Sequence, residues 1–360
     1  MLRAGITSYG ISIPRRRMRV DEIIELWMNS PLEMIQDTLG VKERGVLGLD
    51  EDGNTFSVAA VKEALARTGN REDIDALYYG TCTNPYDSRP SSTILLEALD
   101  LPYSAKCADL QFATKSGTCA LIHAIAMVES GMAKKAVAVG ADTMNRHTSP
   151  GDLTEPYASS GAGALLVGTD NVVLQIEGVE SYSSDLSDGF RVEGERYIRS
   201  GMLPGSAKNE VGVYAHTTAA GQKLLHRLNK KPEDYTYAVF QQGTPSVSYG
   251  IARQLGFSTA QVEPAIYADV LGDTGSASVI IGLAKVLEHA APGNTIFLVS
   301  YGFGAGADAF SFRVTDQIRQ LKKVRTVQQH LDNKQMVDYK TAMKLEYKYI
   351  RPSHPLTAYL

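Results

Sequence analysis

The segment QFATKSGTCAL, residues 111–121, has the residue pattern of a nucleophile placed at the start of a buried helix. A short apolar run leads into it, small residues fill it, and a helical pattern follows. The N-terminus of such a helix presents free N–H groups and the positive end of the helix dipole. A cysteine there has a lowered pKa and forms a thiolate more readily. The position where we expect that thiol carries Thr114, so the pattern predicts an acyl-transfer site that lost its nucleophile or works differently.

Alternating strand and helix patterns predict the elements that position this segment. Strand-like apolar runs occupy residues 76–79, 136–140, 164–167, 238–240 and 296–300, and helix-period segments occupy 57–67, 119–130, 215–228 and 276–289. This alternation favours an α/β fold with buried sheets.

Two stretches of the chain, residues 116–142 and 274–302, resemble each other. Each has small residues, an apolar helix, a loop, and an apolar strand that ends in glycine. Two interpretations are open. Either the likeness is one that any two α/β units show, or the chain is an ancient duplication whose halves pack face to face. On the second interpretation the halves span residues 1–170 and 171–314.

The bulk composition excludes several classes of protein. Of the 360 residues 44% are hydrophobic and 21% charged, and the net charge of −4 gives no reason to expect a nucleic-acid partner. Apolar runs are too short for a bilayer span, and the N-terminus does not resemble a signal peptide. Three cysteines, Cys82, Cys107 and Cys119, without metal-ligand spacing, predict no disulfide framework and no metal site. We also expect no cofactor. We expect a reduced, cytoplasmic protein.

Two further segments carry expectations of their own. The glycine-rich run at 301–310 is expected to form a tight loop closing over a pocket, since it lacks the Lys-Ser/Thr of a phosphate loop. The tail at 315–360, rich in Tyr and Lys, looks like an appendage: either a solvated extension or a docking segment. Its contact anchors would be Tyr339, Tyr347, Tyr349 and Tyr359.

Six motifs occur in the order found in thiolase-fold condensing enzymes. They are GTCTNPYDSRPSSTI, FATKSGTCAL, DLTEPYASSGAGALLVG, VFQQGTPSVSYGIARQLGF, LGDTGSAS and SYGFGAGADAF. Over nearly its whole length the chain resembles archaeal and bacterial hydroxymethylglutaryl-CoA synthases. The resemblance implies a thiolase-like five-layer αβαβα fold built from two similar halves, and dimers of thiolase type.

A narrower resemblance rests on GTCTNPYDSRPS, GDLTE, RYIRSGM and the ending LTAYL. These motifs are similar to the A-subunit family of monoacetylphloroglucinol acetyltransferase complexes. That resemblance implies a hetero-oligomer with two partners, a thiolase-like catalytic subunit and a small zinc-ribbon/OB-fold subunit. It also implies that the complex C-acetylates monoacetylphloroglucinol to 2,4-diacetylphloroglucinol, a step of antibiotic biosynthesis.

The chain departs from the family at four chemical positions. Active synthases use a Glu, a Cys and a His; those positions fall on Cys82, Thr114 and Gln241, which Gln242 follows. The Asn of a later Gly-Asn motif falls on Asp273. A Thr hydroxyl attacks a thioester only with a base beside it, and a Gln amide accepts no proton at useful pH. General acid–base help is worth roughly 10²–10⁴-fold in rate, so ordinary condensation on this chain is implausible.

Three hypotheses stay open. The first is a non-catalytic subunit that scaffolds an acyltransferase complex. The second is an active condensing enzyme with an altered site, built on Cys82 or on Thr114 with an unseen base, for which the candidates are His147, His216, Glu193 and Glu195. The third is a module that binds an acyl-CoA or an aromatic ligand without reacting. Cys107 and Cys119 are expected in the core, and Gln241 could still donate a hydrogen bond in a remnant oxyanion hole.

Overall fold

The computed structural model describes residues 2–68, 74–199, 212–304 and 306–349. Part of RYIRSGM, all of LTAYL, and with it Tyr359, lie outside these ranges. The strands within them are β1 Gly5–Ser12, β2 Arg16–Arg19, β3 Glu43–Val46, β4 Ile74–Gly80, β5 Lys106–Leu110, β6 Lys135–Thr143, β7 Ser160–Gly168, β8 Leu174–Ser183, β9 Tyr237–Phe240, β10 Thr295–Gly302, β11 Gly306–Val314 and β12 Gln335–Met336. The helices are α1 Val20–Trp27, α2 Gly53–Thr68, α3 Ser91–Ala98, α4 Ser116–Glu129, α5 Val213–Leu228, α6 Pro245–Leu255, α7 Thr259–Val262, α8 Ala268–Leu271, α9 Ser278–Leu287, α10 Val327–Asp332 and α11 Tyr339–Leu345.

One mixed sheet runs through the molecule in the order β5-β4-β6-β7-β1-β8-β11-β10-β9. In the first half β4 pairs with β6 in parallel, and β6–β7 and β7–β1 are antiparallel. The second half repeats this pattern, because β9–β10 is parallel while β10–β11 and β11–β8 are antiparallel. The repeated topology supports the duplication interpretation, and β1 joins β8 where the halves meet.

Buried side chains divide the molecule into five layers. Helices α2 and α3 cover one face of the first-half strands, and α5 and α6 cover one face of the second-half strands. The apolar residues of α4 and α9 form the central layer between the two half-sheets. Burying a sheet on both faces gives the continuous apolar runs that the sequence shows. The predicted five-layer αβαβα arrangement is therefore confirmed.

The halves approach most closely where the two central helices begin. A Cβ atom added to Gly117 or to Gly140 would lie 2.3 Å from the carbonyl oxygen of Ser276. Only glycine, which lacks a Cβ, permits backbones this close. The small residues that opened both repeated stretches in the sequence thus serve the contact between halves, and the candidate site lies at this contact.

The tail is integrated into the body, contrary to the expectation of an appendage. Strand β12 pairs in parallel with β2, and α11 buries Ala342 and Met343 against Met18 and Val46. Sequence reasoning missed this because the tail's apolar residues are few and its charges many. Tyr347 and Tyr349 are each 54% exposed. The docking role of the tail stays a prediction, as do the two boundaries between the three segments.

No helix in the described ranges has both the length and the apolarity that a bilayer crossing requires.

Candidate active site

A chain of hydrogen bonds connects three of the four altered positions. The Thr114 hydroxyl donates to the Tyr301 carbonyl at 2.8 Å, and the Tyr301 N–H donates to Gln241 Oε1 at 3.4 Å. Gln241 Nε2 donates to the Gly275 carbonyl at 3.1 Å, and the Gly275 N–H donates to Asp273 Oδ1 at 2.8 Å. Strand ends and helix starts from both halves thus supply one connected site.

Thr114 lies in the tight turn between β5 and α4. The residue before it, Ala113, has a φ of 45°, a left-handed conformation uncommon outside glycine. This turn directs the buried Thr114 side chain at Tyr301 of the second half. A backbone carbonyl is no base, so the hydroxyl gains no activation from its partner.

The Gln241 amide is already used for structure. Its oxygen accepts from the Tyr301 N–H, and one of the two N–H groups of its nitrogen donates to the Gly275 carbonyl. Gln242 is equally committed: it donates to the Ala265 carbonyl at 2.8 Å and accepts from the Tyr267 N–H at 3.1 Å. A remnant oxyanion hole on Gln241 would therefore use the second N–H of the amide, because the first donates to Gly275.

Cys82 follows β4 and lines a cleft of about 590 Å³. The other lining residues are Thr81, Asn84, Tyr86, Asp87, Asp109, Leu110, Gln111, Phe112, Ala113, Gly189, Phe190, Arg191, Ile198, Phe303 and Gly304. Burial, with the nearby Asp142 carboxylate, raises the pKa of the Cys82 thiol well above its ordinary value. The thiol therefore stays protonated at neutral pH and is a weak nucleophile.

Of the glycine-rich run, Tyr301 and Gly302 end β10 and residues 306–310 begin β11, while Phe303 and Gly304 border this cleft. Most of the run is therefore strand, and its expected role as a tight loop closing over a pocket stays a prediction; Ala305 lies outside the described residues.

Asp273 is the side chain of the site that ionises near neutral pH. Burial raises the pKa of its carboxyl to about 7; the Gly275 N–H opposes the rise and Asp142 adds to it. Its own N–H donates to the Tyr157 carbonyl at 2.6 Å, and its carbonyl accepts from the Ser159 N–H at 2.9 Å. A carboxyl with this pKa has the protonation properties of a general acid or base.

Sequence reasoning missed Asp142, whose carboxylate holds two parts of the site together. Its Oδ1 accepts from the hydroxyls of Thr81 and Thr83 and from the N–H groups of Cys82 and Thr83, at 2.7–3.1 Å. Its Oδ2 accepts from the N–H and hydroxyl of Ser276 at 2.7 and 2.6 Å. The fully buried carboxylate therefore joins residues 81–83 after β4, the Cys82 loop, to the second half. The sequence signal that could have found Asp142 was its position just after the predicted strand 136–140.

A second buried group also escaped the sequence. Lys115 Nζ lies 3.0 Å from both carboxylate oxygens of Asp308 and 4.0 Å from the Phe112 ring centroid. Thr118 and Ser181 each donate to the same carboxylate at 2.7 Å. These bonds fasten the start of α4 to β8 and β11, and leave Lys115 engaged in an ion pair.

Of the four candidate bases, three have hydrogen-bond or ion-pair partners and the fourth is exposed. Burial lowers the pKa of His147 to about 4, so its neutral ring donates from Nδ1 to the Arg196 carbonyl at 2.8 Å. The two ring nitrogens of His216 lie 2.7 Å from the Gly212 carbonyl and the Ser184 hydroxyl. Glu195 pairs with Arg199, and Glu193 is exposed.

Two minor expectations can also be compared with the structure. Cys107 and Cys119 are half-buried rather than fully in the core, because their strand and helix each have one side toward solvent. Within the described ranges, no group of three or more His, Cys, Asp or Glu side chains is arranged to hold a metal ion.

Comparison with solved structures places the fold. A structure described as HMG-CoA synthase complexed with CoA superposes with a TM-score of 0.86 at 18% identity, covering 98% of this chain and 92% of that one. 3-Oxoacyl-(acyl carrier protein) synthase III from Pseudomonas aeruginosa gives a TM-score of 0.77 at 20% identity, covering 87% and 98%. Both share the thiolase-like architecture.

Sequence relatives are closer. Residues 225–314 match the family described as 3-oxoacyl-[acyl-carrier-protein (ACP)] synthase III C terminal. The hydroxymethylglutaryl-CoA synthase of Methanocaldococcus jannaschii is 38% identical over 96% of this chain and 99% of its own length. That of Pyrobaculum aerophilum is 39% identical over 96% and 98%. The chain therefore belongs to the hydroxymethylglutaryl-CoA synthase family of thiolase-fold condensing enzymes.

Proposed function

We propose that this chain is a thiolase-fold subunit of an acyltransferase complex and carries no acyl group itself. The observation that carries the proposal is the state of the Thr114 hydroxyl, which is buried and bonded to a backbone carbonyl. Neither the protonated Cys82 thiol nor the Gln241 amide, which is not basic, replaces the thiolate and imidazole of the family. The chain keeps the family's architecture without its acyl-transfer groups.

The partners follow from the narrower sequence resemblance. We infer a thiolase-like catalytic subunit and a small zinc-ribbon/OB-fold subunit, in a complex that C-acetylates monoacetylphloroglucinol to 2,4-diacetylphloroglucinol. Thiolase-like subunits bury large faces against one another, so an inert copy still supplies a face or a docking surface. The exposed Tyr347 and Tyr349 on the tail support a surface of that kind.

A second candidate is an active condensing enzyme with an altered site. The near full-length similarity to hydroxymethylglutaryl-CoA synthases favours it, and so does the Asp273 carboxyl with its pKa of about 7. In that reaction Cys82 would take the acyl group from a thioester, the donor thiolate would leave, and a carboxylate such as Asp273 would accept the thiol proton.

Reconstitution of the complex with single substitutions separates the two functions. In the non-catalytic role, Thr114→Ala, Cys82→Ala and Asp273→Asn each leave the acetylation rate within about twofold, because each residue is remote from the chemistry. Omission of this chain should abolish the activity. A loss of the order of 100-fold or more in Cys82→Ala would support the altered enzyme instead. Full activity from the partners alone would contradict the scaffold role.

A further inference from the structure

The C-terminal segment contacts the wall of the cleft through Arg196. The Arg196 guanidinium donates to the Glu346 carbonyl at 2.6 Å and also to the Tyr347 carbonyl. Its Nε donates to the Arg146 carbonyl at 3.4 Å. A single side chain therefore bridges the end of α11, the loop after β6 and the segment that borders the cleft.

The carbonyls that Arg196 uses are presented by the end of α11. The Lys348 N–H donates to the Met343 carbonyl at 2.9 Å, and the Tyr347 N–H donates to the Lys344 carbonyl at 3.2 Å. This is the Schellman pattern, in which glycine commonly takes the left-handed position. Here Tyr347 takes it with a φ of 55°, a conformation that is unfavourable for a residue with a side chain. Surrounding contacts hold this turn in place.

Those contacts make the end of the tail a fixed point. The Glu346 carboxylate accepts from Arg44 Nη1 at 2.7 Å and Nη2 at 3.2 Å, and from Asn145 Nδ2 at 2.9 Å. Lys348 Nζ lies 3.3 Å from the same carboxylate, and Arg44 and Glu346 are fully buried. A bidentate, buried ion pair resists displacement more than an exposed one.

The other end of the bridge is the cleft wall itself. Phe190 and Arg199 exchange backbone hydrogen bonds at 2.9 and 2.8 Å, which closes residues 190–199 into a loop. The Ile198 N–H donates to the His147 carbonyl at 2.8 Å, and His147 Nδ1 donates to the Arg196 carbonyl. Phe190, Arg191 and Ile198 from this loop line the same cleft as Cys82.

We infer that Arg196 is a positioning residue through which the C-terminal segment controls access to the cleft beside Cys82. The fixed turn at 346–347 holds the guanidinium, and the guanidinium holds the loop against the cleft. A partner that binds the exposed Tyr347 side chain would displace the Tyr347 carbonyl to which Arg196 donates. This consequence for the complex rests on the proposed function. Loss of this contact leaves the backbone bonds to His147 to hold the loop, so the cleft opens more often.

The test measures iodoacetamide labelling of Cys82 and amide hydrogen exchange of residues 190–199, both by peptide mass spectrometry on the full chain. Arg196→Gln removes the bridge and should raise both rates about tenfold, the effect of about 1.4 kcal/mol of lost local stability. Arg196→Lys keeps one donor and the charge, and should restore part of the protection.

Arg199→Gln is the matched control, because Arg199 is an exposed arginine of the same loop that pairs with Glu195. It should leave both rates within about twofold of the unmodified chain. The inference is overturned if Arg196→Gln leaves the rates unchanged, if Arg199→Gln raises them equally, or if exchange rises equally throughout α4 and β6. The measurement needs no acyl donor, so its outcome is separate from that of the proposed function.

Discussion

The Asp273 carboxyl couples the stability of the protein to pH. Its pKa is about 7 in the folded chain, against an ordinary value near 4 in an unfolded one. The unfolded state therefore releases this proton first as the pH rises from about 4. The contribution of Asp273 to stability is present below that pH and is lost as the pH rises to about 7.

Asp273→Asn should accordingly stabilise the protein, because the amide oxygen can accept from Gly275 without a charge to bury. The gain in the free energy of unfolding should grow between pH 4 and 7 and stay constant above, at about 2–4 kcal/mol. Urea unfolding of both proteins at pH 5 and 8 measures it. A gain that is the same at both pH values would show that Asp273 is ionised normally in the folded chain.

Part of this chemistry could be predicted from the sequence. The resemblance indicated Cys82, Thr114, Gln241 and Asp273 as the altered positions, and the structure connects the last three through hydrogen bonds. The pKa of Asp273 could not be predicted, because it depends on burial by segments distant in the chain. The partners of the Thr114 hydroxyl and the Gln241 amide depend on the second half in the same way.

At the scale of elements, the apolar runs predicted β4, β6, β7, β9 and β10 and the long helices between them. Strands β1, β8 and β11 were missed, since glycine, serine and charged residues interrupt their patterns. Helices α3 and α6 were missed as well; α3 has only eight residues, and serine, glycine and arginine interrupt the apolar residues of α6. Sheet packing overrides such weak local signals.

Asp142 connects the Cys82 loop to the second half, and its loss should destabilise both. Asp142→Ala leaves the buried donors of Thr81, Thr83 and Ser276 without an acceptor, and should lower the free energy of unfolding by about 3–5 kcal/mol. Asp170→Ala, an exposed carboxylate just after β7, is the control and should cost less than about 0.5 kcal/mol. Equal unfolding midpoints in urea for the two variants would argue against this role.

At the scale of the whole molecule, the tail closes onto the first half through buried charges. Arg44 and Glu346 form an ion pair with no exposed surface, and Lys348 lies between Glu346 and Glu155 at 3.3 and 3.5 Å. The sequence could not reveal this pairing, because the partners are separated by 302 residues and each looks like an ordinary surface charge.

Arg44→Met should lower the free energy of unfolding by about 3–5 kcal/mol, because it strips the buried Glu346 carboxylate of its bidentate partner. The double variant Arg44→Met/Glu346→Met should recover part of that loss, since no unpaired carboxylate remains. Thermal or urea unfolding of the three proteins provides the comparison. A double variant less stable than the sum of both single losses would contradict the pairing.

The most direct measurement is the intact mass of this chain, taken during turnover of the reconstituted complex with an acetyl donor. We expect the mass of the unmodified polypeptide at every time point, while the acyl group is found on the catalytic partner. A transient mass increase of one acetyl group on this chain, mapped to Cys82 or Thr114, would contradict the central claim and identify a condensing enzyme with a new nucleophile.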